Sequence, residues 1–129
     1  MNDLAWQFTS DRPIFTQISD QIISGIMNGS YKMGEKLPSV REFALMAEVN
    51  PNTVQRALSS LETLGLVETQ RNTGKFVTTN EGCIESARAL RGHGLARDFL
   101  SNMRSIGYTR VQTIDILEDA DKEEETIHE

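Results

Sequence analysis

The sequence predicts a mainly α-helical fold with one small β-hairpin: an N-terminal winged helix-turn-helix followed by a short C-terminal two-helix dimerisation segment. Three observations lead there. Residues 14–64 carry three runs with the apolar period of a helix, and only a short turn separates the last two. Two strand-like runs around a polar, glycine-containing turn come next. Beyond residue 80, two more amphipathic stretches carry apolar residues that helices of this size cannot bury between themselves. The expected division is a winged domain over 1–80, a helical dimerisation segment over 81–120 and an acidic, disordered tail over 121–129.

Leu4, Trp6 and Phe8 alternate, the period of a short extended segment laid on an apolar surface. From Pro13 the period becomes helical. Ile14, Ile18, Ile22 and Ile26 recur every four residues, with Phe15 and Ile23 widening the stripe. Pro13 suits the first turn and Asn28-Gly29 the end. After a loop over 30–38, Ser39-Val40-Arg41-Glu42 reads as a capping box that opens a second helix with Val40, Phe43, Ala44 and Ala47 inward. Asn50-Pro51 then supplies a cap and a first-position proline for a third helix.

That third helix places Val54, Ala57, Leu58, Leu61 and Leu64 on its buried face, and Gly65 is set to end it. Asn52, Gln55, Arg56 and Ser59 fall on the opposite face, side chains able to hydrogen-bond to base edges and phosphates. The hairpin runs from Leu66-Val67-Glu68-Thr69 to Lys75-Phe76-Val77-Thr78 around Arg71-Asn72-Thr73-Gly74. Its basic residues, Arg71 and Lys75, lie near the tip. Helix, helix-turn-helix and hairpin, in that order, are the parts of a winged helix.

Past Thr79, Ile84, Ala87, Leu90, Leu95, Phe99, Met103 and Ile106 form an imperfect helical stripe. Gly92-His93-Gly94 interrupts it, and two glycines cost about 2 kcal/mol of helix propensity relative to alanine, so a kink or break is expected there. Thr109-Arg110-Val111-Gln112 reads as a second capping box, opening a last helix with Val111, Ile114, Ile116 and Leu117 apolar. Either the winged domain or another chain must cover these faces; a homodimer is the economical answer, with Leu95, Phe99, Met103, Ile106, Ile114 and Leu117 as the expected interface.

The net charge of −6 is unevenly placed: seven Lys/Arg oppose eight Asp/Glu in residues 1–80, and six oppose eleven in 81–129. The first half is therefore near neutral, which permits contact with DNA. Cys83 is the lone cysteine, and His93 and His128 lack metal-ligand spacing, so neither a disulfide, a metal centre nor a cofactor is expected. No run of about 18 apolar residues or signal-peptide pattern is present, which makes the cytoplasm the expected location and a membrane partner unexpected. Nothing pairs a nucleophile with a base, and Ser39 and Thr53 are explained as helix-start residues, so no catalytic activity is expected.

The stretch from Pro13 to Val77 resembles the DNA-binding domain of the GntR family of bacterial transcription regulators. The resemblance lies in Gly34-Glu35-Lys36-Leu37-Pro38-Ser39-Val40-Arg41-Glu42-Phe43-Ala44, in Val49 through Leu58, in Leu61 through Gly65, and in Gly74-Lys75-Phe76-Val77. Asn50-Pro51-Asn52-Thr53-Val54 with a short helical tail is most similar to the YtrA-like subfamily. The resemblance implies DNA contacts at Arg41, Asn52, Thr53, Gln55, Arg56, Arg71 and Gly74; Ser39 and Lys75 complete the expected DNA-binding set, Lys75 as a phosphate contact where the wing departs from the family. Two departures stand out. Pro51 and Gln55 occupy positions where many relatives carry basic residues, and Asn72 replaces the first glycine of the usual wing.

The implied function is a homodimeric repressor that reads an inverted-repeat DNA operator. Its dimer interface could also accept a small-molecule effector between Phe99, Met103 and Tyr108. The acidic total charge supports an alternative, a winged-helix module that binds protein without reading an operator.

Overall fold

The four-residue spacing of Ile18, Ile22 and Ile26 puts all three on one face of α1 (Ile14–Met27), where they are buried. The computed structural model describes residues 6–128, with side chains described to residue 124. Leu4 lies outside them. Trp6 and Phe8, two residues apart, stack with centroids 6.4 Å apart, and Trp6 meets Phe43 edge-on at 6.0 Å. Gln17 holds this segment onto α1: its amide donates to the Thr9 and Arg12 carbonyls, and its Oε1 accepts from the Thr9 N–H. Ile14, at the start of the stripe, is exposed, and Pro13 is the N-cap of α1 rather than a residue of its first turn.

Helices α2 (Val40–Ala47) and α3 (Pro51–Thr63) follow, and α3 packs against both α1 and α2. Val54, Ala57, Leu58 and Leu61 of α3 are fully buried with Phe43 of α2. Leu64, expected on the same face, is exposed. It caps the helix with α-helical backbone, and the turn through Gly65 at φ +80° hands its inward place to Leu66. A polar contact also ties α1 to α3, the Ser19 hydroxyl lying 3.3 Å from the Ala57 carbonyl and 2.9 Å from the Ser60 hydroxyl.

Strands β1 (Val67–Gln70) and β2 (Gly74–Val77) pair antiparallel, with Thr69 opposite Lys75 and Gln70 opposite Gly74. The loop before α2 adds to this ladder. Lys36 bridges Phe76, the Leu37 N–H donates to the Lys75 carbonyl at 2.8 Å, and the Val77 N–H donates to the Glu35 carbonyl at 2.9 Å.

Helix α4 (Glu81–Ser105) starts with the Asn80 side chain accepting from the Cys83 N–H, and runs unbroken through Gly92-His93-Gly94. The break expected there is absent, because the favourable residues of a long helix outweigh two local glycine penalties. The chain divides into two compact units between Arg88 and Ala89. The first therefore extends past residue 80 and takes in Ile84, which is buried in its core.

In the second unit, α5 (Arg110–His128) opens with the capping box the sequence predicts. The Thr109 hydroxyl accepts from the Gln112 N–H, and the Gln112 carboxamide accepts from the Thr109 N–H. The acidic segment expected as a disordered tail continues this helix to His128, because its Glu, Lys and Ala residues are good helix formers on an established nucleus. Leu95, Phe99, Ile106, Ile114 and Leu117 are exposed in the single chain, and Met103 is half-buried. No helix among the described residues is long and apolar enough to cross a membrane.

Candidate nucleic-acid interface

The second and third helices are fixed relative to each other by a short, fully specified turn. Ser39 accepts at its hydroxyl from the Glu42 N–H, and the Glu42 carboxylate accepts from the Ser39 N–H, so both ends of the capping box close. These bonds also hold the Glu42 carboxyl below the usual carboxylate range. The Ser39 N–H is the larger cause and the Ser39 hydroxyl the next, so that hydroxyl is already engaged by Glu42. Two residues on, Arg41 is exposed and makes no hydrogen bond or salt bridge among the described residues. After α2 the chain reverses at Glu48, which takes a left-handed backbone at φ +56°, and Asn50 then caps α3 through the Asn52 N–H.

On α3, Asn52, Gln55, Arg56 and Ser59 are exposed, opposite the buried face. Gln55 donates to the Ser59 hydroxyl at 3.3 Å. Arg56 reaches back over α1, its guanidinium carbon 3.8 Å from the centre of the Phe15 ring. With Ile14, Asn52 and the half-buried Thr53, these two residues line a shallow depression of about 300 Å³. The structure thus brings Asn52, Thr53 and Arg56 together.

The hairpin turn is Arg71-Asn72-Thr73. Asn72 sits at φ +67°, the conformation a glycine would supply, and asparagine adopts it at little cost. Gly74 at φ +125° meets the side chain of Lys36: a Cβ built there would lie 3.1 Å from Lys36 Cε. Arg71 is exposed at the tip. Lys75 points elsewhere. Its ammonium forms a salt bridge with Glu62 of α3 and lies 3.0 Å from the Thr69 hydroxyl, which itself donates to Glu62 at 2.8 Å. Lys75 is the main reason the Glu62 carboxyl sits below its ordinary range.

A polar helix face beside a hairpin with a basic tip is a surface that can enter a groove and grip the adjoining backbone. Among the described residues no His, Cys, Asp or Glu cluster is placed to hold a metal ion.

Residues 15–77 match the family described as bacterial regulatory proteins, gntR family. The chain is 37% identical to the HTH-type transcriptional regulator YhcF of Bacillus subtilis over 84% of this chain and 90% of that protein. The chain belongs to the GntR family. A GntR family transcriptional regulator from Listeria monocytogenes has the same fold, with a TM-score of 0.83 and 37% identity over 87% of this chain and 98% of that one. The HTH-type transcriptional repressor YtrA of Bacillus subtilis is 44% identical over 55% of each chain. The AraR DNA-binding domain in complex with operator ORR3 matches 60% of this chain and 92% of its own at a TM-score of 0.51 and 26% identity.

In this GntR-family DNA-binding transcriptional regulator, three functional neighbours escaped sequence reasoning: Phe15, Glu62 and Lys36. Phe15 reads as a core residue, since nothing in a helical stripe announces that an arginine from another helix will rest on it. Glu62 lies on α3 between the inward Leu61 and Thr63, and only the strand pairing shows that it faces Lys75. Lys36 falls in the quoted family stretch, yet its place at the hairpin depends on a bridge formed across 40 residues.

Proposed function

We propose that the protein is a sequence-specific transcriptional repressor that binds an inverted-repeat operator as a homodimer in the cytoplasm. The observation that carries this reading is the exposed hydrogen-bonding face of α3, with Arg56 held in place by Phe15. An arginine already ordered in the free protein loses less side-chain entropy on meeting a base. In this reading Asn52, Thr53, Gln55 and Arg56 meet base edges, while Ser39, Arg41, Arg71 and the backbone at Gly74 hold phosphates. The repressor named YtrA and the operator complex of the AraR DNA-binding domain support the direction of regulation and the ligand class.

The second unit carries the surface for a dimer. Leu95, Phe99, Ile106, Ile114 and Leu117 expose apolar surface in one chain, and a second copy is the economical cover. Two copies then present two recognition helices, so the operator should contain two half-sites spaced by about one helical turn or a multiple of it.

The test combines sedimentation of the free protein with footprinting on the DNA upstream of its own gene. A dimer protecting two symmetry-related half-sites is the expected result. A monomer protecting one asymmetric site would overturn the homodimer reading.

A further inference from the structure

We propose that Lys36, from the loop before α2, is a DNA-phosphate contact of the wing, and that Lys75 is a brace that fixes the wing on α3. The proposal rests on the DNA-binding function and adds a residue to it.

Lys75 is already occupied. Its ammonium is shared between the Glu62 carboxylate and the Thr69 hydroxyl, and Thr69 is its direct partner across the hairpin. With a side chain only 18% exposed, Lys75 would have to give up an ion pair before reaching a phosphate. The same three residues join β1 and β2 to α3, so the pair sets the angle between wing and recognition helix.

Lys36 has the opposite surroundings. Its backbone is locked to β2 by the bridge to Phe76 and by the hydrogen bonds on either side. Its side chain crosses Gly74, with the ammonium 3.9 Å from where a Cβ would stand. Only a glycine leaves that path fully open. The residue is exposed, and it makes no hydrogen bond or salt bridge among the described residues. Glu42 feels its charge, but that carboxylate is engaged by Ser39. Gly74 follows the turn that carries Arg71, so the Lys36 side chain, anchored at Phe76 nearer the base of the hairpin, extends toward the end that holds the tip arginine. A cation here would meet sugar-phosphate rather than base edges, and its contribution would be independent of sequence.

The experiment is a salt series of fluorescence anisotropy titrations on the upstream duplex and on a scrambled duplex. It compares wild type with Lys36→Met, Lys36→Arg and Lys75→Met, each checked for a native melting transition. Lys36→Met should flatten the plot of log affinity against log salt by about one unit and weaken binding roughly tenfold at 0.1 M salt, equally on both duplexes. Lys36→Arg should restore both, and Lys75→Met should leave the slope unchanged. A steep wild-type slope that Lys36→Met leaves unaltered would overturn the Lys36 assignment. Loss of a unit of slope in Lys75→Met would overturn the brace. A wild type without salt-dependent binding to either duplex is a separate failure, one that removes the DNA reading and this proposal together.

Discussion

The guanidinium carbon of Arg56 lies over the face of the Phe15 ring, 3.8 Å from its centre, and so couples α3 to α1. An arginine over an aromatic face is held by the ring's negative face while its N–H donors stay available to pair with a base. Arg56→Ala should weaken operator binding by about 1–3 kcal/mol and relax preference at one base pair. Phe15→Leu keeps the bulk and removes the π face, so its loss on the operator should be smaller, under about 1 kcal/mol. Competition titrations with single-base operator variants measure both. Equal losses on operator and scrambled DNA would argue against base reading by Arg56.

The Glu62–Lys75 pair gives the wing a pH dependence. The fold lowers the Glu62 carboxyl below its ordinary 4.5, chiefly through Lys75. Its stabilising contribution is therefore complete above that ordinary value and fades as pH falls through the lowered one. Urea midpoints followed from pH 7 to pH 3 should fall more steeply for wild type than for Glu62→Gln. Parallel curves would show that the pair carries no net stability.

Gly92 offers a test of the uninterrupted α4. A Cβ added there meets nothing within 4 Å. Gly92→Ala should raise stability by about 0.5–1 kcal/mol through helix propensity alone. A loss measured by urea unfolding would point instead to a neighbour that needs the space.

Phe99 tests the association of the second unit. Phe99→Glu places a charge on the face that the dimer would bury, where desolvation is costly without a partner. Sedimentation should show monomers, with the melting transition of the first unit retained. An unchanged dimer would move the interface away from this face.

Local signals made most of the fold legible. The capping boxes at Ser39 and Thr109 form with both hydrogen bonds, because each needs only side chains three residues apart. Most of the apolar stripes of α1, α2 and α3 is buried for the same reason, the spacing being set by the helix itself. Leu64 keeps the spacing of the stripe yet is exposed, because α3 ends at Thr63 and Gly65 diverts the chain. Gln17 and Ser19, both buried, have hydrogen-bond partners in Thr9, Arg12, Ala57 and Ser60, some of them more than 30 residues away. No local period encodes such pairings.

At the candidate site the exposure of several side chains was legible in the sequence, and their partners were less so. Arg41, Asn52 and Arg71 are exposed, as polar residues on the outer side of their elements should be. Lys75 stands in the expected DNA-binding set, but its side chain turns toward Glu62, an acid thirteen residues earlier on another element. The replacement of a wing glycine by Asn72 leaves the turn intact, since asparagine takes the positive φ that the turn demands.

The most direct test of the central claim is fluorescence anisotropy of the purified protein on the duplex upstream of its own gene, with a scrambled duplex as competitor, at two salt concentrations. Preferential binding to the upstream sequence that weakens on both duplexes as salt rises is the predicted result. Equal affinity for the two duplexes, or none for either at low salt, would contradict an operator-reading regulator.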